Sequence, residues 1–100
     1  LSIGTTYYYR VRASNSSGVS TSSNVISTVT LPSAPVAIEA SSQTTTSFTA
    51  HWNASTSATS YRLDVSVNSG FSSFVSGYNN LSVAGISQSV TSLSASSTYY

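Results

Sequence analysis

The feature that most constrains the fold is a regular alternation of apolar and polar residues in short runs. In residues 7–13 the apolar side carries Tyr7, Tyr9, Val11 and Ala13, and the other side carries Tyr8, Arg10 and Arg12. Residues 61–67 alternate in the same way, with Tyr61 and Leu63 on the apolar side and Arg62 and Asp64 on the polar side. A period of two predicts half-buried β-strands. Good helix formers are scarce, with nine Ala and one Glu, so we predict an all-β chain.

Composition excludes several classes of function. Only 5% of the 100 residues are charged and the net charge is +1, which excludes a basic nucleic-acid binder, because phosphate affinity scales with the number of Lys and Arg contacts. The chain has no Cys, which excludes a disulfide framework and thiolate metal sites. No apolar run is longer than three residues, so we expect no membrane span.

Two prolines interrupt the strand pattern. Pro32 and Pro35 lie within four residues, and proline cannot sit in a central strand. We therefore predict a linker at residues 32–35. Residues 1–31 would hold the last two strands of one domain, and residues 36–100 the first five strands of the next, ending at the start of the sixth.

A short internal repeat supports this division. Residues 1–8 match residues 93–100 at an offset of 92, with identical residues at Leu1/Leu93, Ser2/Ser94, Thr6/Thr98, Tyr7/Tyr99 and Tyr8/Tyr100. A β-sandwich domain has about 100 residues, so the offset fits one domain. We expect the chain to be a piece of a tandem array, cut out of phase with its domains.

The order of these motifs resembles the fibronectin type III family. The residues that carry the resemblance are Leu1, Gly4, Thr5, Tyr7, Tyr9, Val11, Ala13, Asn15 and Gly18, then Pro32, Pro35, Trp52, Tyr61, Leu63 and Val65. The chain departs from the family at Ile3 and Ala95, where the family has Pro, and at Ser97, where it has Thr. The Ser- and Thr-rich, Lys-free composition is similar to that of repeats in long secreted bacterial proteins.

The resemblance implies an immunoglobulin-like antiparallel β-sandwich and gives five residues structural roles. Tyr7 and Tyr99 would be tyrosine corners, whose hydroxyls bond to backbone a few residues upstream. Trp52, Tyr61 and Leu93 would be structural core residues. The resemblance also implies a structural, spacer or adhesion module in an extracellular or cell-surface protein, with neighbouring repeats of the same chain as partners.

The two parts of the chain are not expected to close on each other. In this family the chain enters a domain at one pole and leaves at the other, about 30 Å away along a strand of nine residues. A four-residue linker reaches at most about 14 Å. The alternative is closure between chains, in which residues 1–31 of one chain complete the five strands of another in a head-to-tail contact.

The titratable residues do not predict an enzyme. The only His is His51 and the only carboxylates are Glu39 and Asp64. Alternation places His51 and Glu39 on the outer face of one sheet and Asp64 on the outer face of the other, so we expect no acid–base pair, metal site or cofactor. A metal site needs at least three ligands.

One exposed face is a candidate binding site. It would gather Tyr8, Arg10 and Arg12 with Arg62 and Asp64 if a second copy of residues 8–12 followed Tyr100. Arg beside Tyr is able to bind a protein or glycan ligand, as in an accessory carbohydrate-binding or adhesin module attached to an enzyme or adhesin. The alternative is a solvated strand face with cross-strand Arg–Asp pairs. Phe71, Phe74 and Tyr78 are similarly open to two interpretations, as a sugar-stacking platform or as core filling and a short edge strand.

Overall fold

The computed structural model describes all 100 residues as short antiparallel strands joined by turns. The strands are β1 (Thr6–Tyr9), β2 (Ser14–Asn15), β3 (Gly18–Val19), β4 (Ile26–Val29), β5 (Ala37–Ser41), β6 (Phe48–Trp52), β7 (Tyr61–Leu63), β8 (Leu81–Val83) and β9 (Ser87–Val90). The all-β prediction is therefore confirmed. The structure contains no helix, and hence none with the length and hydropathy needed to cross a membrane.

The strands form four separate sheets along an elongated molecule. β1 pairs with β4, β2 with β3, and β7 with β8, while β5, β6 and β9 form a three-stranded sheet. The molecule measures 74 × 25 × 17 Å, with a radius of gyration of 21.7 Å. A compact domain of this length has a radius of gyration of about 13 Å, so the chain is far from a single compact body.

Residues 1–31 form a hairpin in which serine hydroxyls extend the ladder. β1 pairs with β4 from Thr6↔Val29 to Tyr9↔Ile26. Beyond Tyr9, the backbone N–H of Val11 donates to Ser23 Oγ (3.0 Å) and that of Ala13 donates to Ser20 Oγ (3.0 Å). The predicted strand over residues 7–13 thus ends at Tyr9, because hydroxyls replace the carbonyls that a regular ladder needs.

The three-stranded sheet in residues 36–100 contains a bulge that corrects one predicted side-chain direction. β5 pairs with β6 at Ala37↔Trp52 and Ile38↔His51, and the register shifts before Ser41↔Thr49. Directly opposed residues share a face, so Ile38 lies on the outer face with His51 and is 50% exposed. The expected outward direction of Glu39 implies, by strict alternation, that its neighbours Ile38 and Ala40 both point inward. The extra residue in the bulge reverses the alternation between Ile38 and Ala40.

The second sheet pairs β7 with a strand that sequence reasoning missed. Arg62 lies opposite Ser82, and Leu63 opposite Leu81. The expected edge strand around Phe71, Phe74 and Tyr78 is absent, apart from a single bridge between Ser66 and Phe74. Residues 81–83 contain only two apolar residues in three, too short a run to separate a strand from a loop.

The core lies between the two sheets of residues 36–100. Val65, Val90 and Leu93 form a buried cluster, and partly buried side chains from both sheets pack against it, among them Phe48, Ala50 and Leu63. Val90 is fully buried. Residues 1–31 contribute no buried side chain, so the hairpin has no core of its own.

The hairpin and residues 36–100 meet without a shared ladder. No strand pair and no hydrogen bond joins residues 1–35 to residues 36–100. One close contact does exist, between Gly4 and the Ser57 side chain, and any Cβ at position 4 would overlap Ser57. Gly4 also has φ +56°, in the left-handed region that glycine adopts at little cost.

Candidate interaction surfaces

The hairpin carries three of the predicted face residues on one exposed strand side. Tyr8 is 73% exposed and lies opposite Ser27, and Arg10 and Arg12 follow it on exposed backbone. The opposite side exposes apolar residues, with Tyr9, Val11 and Ile26 all more than 40% exposed. An isolated two-stranded hairpin is marginally stable at best, so this apolar side is a surface without a partner.

The other two face residues, Arg62 in β7 and Asp64 directly after it, bind one asparagine. The Asn80 backbone N–H donates to Asp64 Oδ1 at 2.6 Å, and the Arg62 guanidinium donates to the Asn80 carbonyl at 3.4 Å. Both side chains are exposed. Asn80 has φ +60°, which asparagine tolerates better than most residues. Arg62 and Asp64 therefore fix a left-handed turn before β8.

The structure does not bring these two groups into one face. Tyr8, Arg10 and Arg12 belong to the hairpin, whereas Arg62 and Asp64 belong to a different sheet with no ladder to the first. The predicted five-residue face requires a further strand beside β7, which the chain does not supply to itself.

An open groove beside β7 was not visible in the sequence. Its volume is about 300 Å³, and its lining includes Pro35, Trp52, Tyr61, Leu63 and Phe71, with Arg62 and Asp64 at one side. Trp52 and Tyr61 pack with ring centroids 5.7 Å apart at 58°. The alternation assigned both rings to the core, and nothing in it showed that one side would stay open.

The two tyrosine corners have matching geometry. The Ser2 N–H donates to the Tyr7 hydroxyl at 2.7 Å, and the Ser94 N–H donates to the Tyr99 hydroxyl at 2.9 Å. These backbone donors stabilise the phenolate form, so each holds the pKa of its tyrosine below the ordinary value. The turns match as well, since Gly4 has φ 56° and its counterpart Ser96 has φ 54°.

The polar groups form no recognisable catalytic centre. Ser41 Oγ lies 2.7 Å from His51 Nε2, a contact that also occurs between the nucleophile and the base of serine hydrolases. No carboxylate hydrogen-bonds His51, and no three His, Asp or Glu side chains come together. The pair joins exposed Ser41 to half-buried His51 across the bulge between β5 and β6.

Comparison of the chain with protein-family models, curated proteins and solved structures finds no match.

Proposed function

We propose that the chain is a non-catalytic structural or interaction module made of parts of two successive fibronectin type III-like β-sandwiches. It would act as a spacer in a tandem-repeat protein that is secreted or attached to the cell surface. Neighbouring repeats would be its main partners.

The observation that carries this proposal is the duplicated tyrosine corner. Tyr7 and Tyr99 accept the same backbone bond from the fifth residue upstream, at an offset of 92 residues. The turn hydroxyls match too, since Thr5 Oγ1 donates to the Ile3 carbonyl and Ser97 Oγ to the Ala95 carbonyl. Five identical residues over eight positions are weak support, but the same hydrogen bonds and the same left-handed turn are independent support for a structural repeat.

A second support comes from Tyr100. Ser66 and Tyr100 exchange both backbone hydrogen bonds, at 2.8 and 2.9 Å. This is a hydrogen-bonded pair of an antiparallel ladder, so residues after the Tyr99 corner begin to pair with the strand that carries β7. In the repeat, Tyr8 stands at the position of Tyr100, and Tyr8 lies within β1, which pairs with β4 as a hairpin.

The test is to add the missing strands in phase. Because Tyr8 corresponds to Tyr100, a copy of residues 9–31 appended after Tyr100 should complete the second domain. We expect the extended chain to gain at least about 3 kcal/mol of unfolding free energy in urea, since a third strand converts a marginal sheet into a stable one. A scrambled 9–31 segment of the same composition is the control. Equal stability of the two extended chains would refute the proposed fold.

The groove beside β7 favours one alternative, a carbohydrate-binding or adhesin module. Aromatic rings beside Arg and Asp are able to stack on and hydrogen-bond to sugars. The groove is lined by half-buried Tyr61 and exposed Phe71 together with Arg62 and Asp64, and the buried Trp52 lies beneath them. Glycan-array binding that is lost in Arg62→Ala or Phe71→Ala, and in Tyr8→Ala or Arg10→Ala on the hairpin, would favour this function. Its absence on the whole array would leave the spacer function as the better account.

A further inference from the structure

Three Asn-x-Ser triplets in the chain carry the acceptor pattern for an N-linked glycan. They are Asn15-Ser16-Ser17, Asn53-Ala54-Ser55 and Asn80-Leu81-Ser82. All three asparagines are exposed, and a chain this rich in Ser contains such triplets by chance, so the pattern alone selects no site. The structure distinguishes the triplets by how each places its serine hydroxyl relative to its asparagine amide.

The first triplet forms the tip of the hairpin in residues 1–31. Asn15 pairs with Gly18 across a two-residue turn, and the Ser17 N–H donates to Asn15 Oδ1 at 2.9 Å. This Asx turn folds the Asn15 side chain back over the backbone of Ser17. It is the only side-chain hydrogen bond of either residue, and both residues are exposed. The turn therefore presents a free amide nitrogen and a free hydroxyl to solvent, side by side.

The surroundings of this turn leave room for a sugar. A Cβ placed on Gly18 would meet no atom within 4 Å, and the turn encloses an open space of about 340 Å³. The hairpin contributes no buried side chain, so a bulky glycan at its tip displaces nothing from the core. A glycan there would also shield Val19, which is 61% exposed, in keeping with the solubilising effect of surface glycans.

The other two triplets do not present their hydroxyls in this way. The Ser55 hydroxyl is buried without a hydrogen-bond partner, and the Ser55 N–H donates to the Tyr61 hydroxyl at 2.9 Å. Ser82 lies in β8 opposite Arg62. Because each residue of a strand advances about 3.3 Å, the ladder holds Ser82 extended rather than folded back toward Asn80. Both segments must open locally before amide and hydroxyl approach each other.

We propose that Asn15 is an attachment site for an N-linked glycan, with Ser17 supplying the hydroxyl of the acceptor pattern. The inference rests on the secretion or surface location proposed above, because the glycosyl donor is met on that route. In the transfer, Asn15 Nδ2 attacks the anomeric carbon of a sugar carried on a lipid pyrophosphate. The N–C bond forms as the C–O bond to pyrophosphate breaks, the pyrophosphate leaves with the electron pair, and Nδ2 loses one proton.

The test is glycan transfer to the folded chain in solution. The purified chain is incubated with a single-subunit oligosaccharyltransferase and an oligosaccharide on a lipid pyrophosphate. A short Asn-x-Thr peptide in the same mixture reports that the enzyme is active, and peptide mass spectrometry gives the occupancy of each asparagine. We expect at least about tenfold more glycan at Asn15 than at Asn53 or Asn80, because those two segments have to open first.

Variants of the turn separate the acceptor chemistry from the fold. Ser17→Ala removes the hydroxyl but keeps the backbone N–H that bonds to Asn15 Oδ1, so occupancy at Asn15 should fall about tenfold or more. Ser17→Thr should restore transfer, and the matched control Ser16→Ala should leave it unchanged. Positions 16 and 17 are exposed, so circular dichroism should show the same fold in all three variants.

Equal occupancy at Asn15 and Asn53, or unchanged transfer to Ser17→Ala, would overturn the proposal. So would an unmodified Asn15 in a mixture where the peptide is glycosylated. If Asn15 is unmodified but the appended 9–31 segment stabilises the chain, the proposed function stands and this inference fails. If Asn15 is modified and the appended segment has no effect, the attachment site stands without the proposed fold.

Discussion

Replacement of Trp52 by Ala tests where the stability of the molecule resides. The Trp52 side chain is 7% exposed and packs on Tyr61. A buried Trp removes about 150–250 Å² from water, which at about 25 cal/mol per Å² is worth about 4–6 kcal/mol. A realistic unfolded chain lowers this figure by about 10–40%. We therefore expect Trp52→Ala to cost about 3–5 kcal/mol, as large-to-small core substitutions do.

The indole N–H makes the matched variant informative. Trp52 Nε1 is buried and has no hydrogen-bond partner, and leaving such a group unsatisfied costs about 1–3 kcal/mol. Trp52→Phe keeps an aromatic ring beside Tyr61 and removes this unsatisfied donor. Phe buries less apolar area than Trp, which lowers stability, but it also removes the unsatisfied indole N–H, which raises stability. We therefore expect Trp52→Phe to cost at least about 2 kcal/mol less unfolding free energy than Trp52→Ala.

The assay is urea unfolding followed by far-UV circular dichroism, because Trp52 is the only Trp and its fluorescence is lost in both variants. Amide hydrogen exchange locates the effect. The Val65 and Val75 amides, which bond inside residues 36–100, should exchange faster in Trp52→Ala. The Thr30 amide, which bonds to Thr5 in the hairpin, should not change. Equal costs for the two variants, or a matching change at Thr30, would refute the reasoning.

Three further predictions test individual contacts. Ser66 is fully buried, and its hydroxyl donates to the Ser73 carbonyl and accepts from the Asn68 N–H. Ser66→Ala should therefore cost about 1–3 kcal/mol in urea unfolding, whereas exposed Ser82→Ala should cost under about 0.5 kcal/mol. Ser2→Pro removes the N–H that lowers the pKa of Tyr7, so this pKa should rise toward its ordinary value in a ¹³C NMR titration. The Tyr7 pKa is lower in the folded than in the unfolded chain, so the unfolded chain binds more protons between these two pKa values. The unmodified chain therefore gains stability as pH rises from the folded-state pKa of Tyr7 to about 10, and Ser2→Pro should lose this gain. Gly4→Ala places a Cβ against Ser57 at φ +56° and should destabilise the first turn by about 1–2 kcal/mol. In small-angle scattering, Gly4→Ala should change the profile of the molecule. The control Gly77→Ala, also at positive φ but with open space around it, should leave the profile unchanged.

The sequence predicted where strands occur but not how far they extend. The alternating runs 7–13 and 61–67 form strands only at Thr6–Tyr9 and Tyr61–Leu63. Trp52 and Val90 are buried, and the Tyr7 hydroxyl accepts a hydrogen bond from the Ser2 backbone N–H. Ile38 was placed on the wrong face because a bulge is a property of the strand pair rather than of one strand. β8 was missed because three residues carry too little periodicity.

The candidate site was less predictable than the strands. Sequence alternation placed Arg10, Arg12, Arg62 and Asp64 on polar sides, and all four are exposed. Alternation cannot say which strands become neighbours, because pairing between distant segments depends on the path of the chain.

The two tyrosine-corner turns show how a repeated local structure can serve two different surroundings. Gly4 and Ser96 have nearly the same φ, and both turns are held by the same tyrosine bond. Position 4 touches Ser57 so closely that only glycine fits, whereas Ser96 carries a Cβ and borders an open groove. A copy docked at Ser96 in the way that residues 53–58 meet Gly4 would therefore overlap the serine side chain. The hydrogen bonds of the turn set its shape, and the residue at its left-handed position decides how closely another segment approaches.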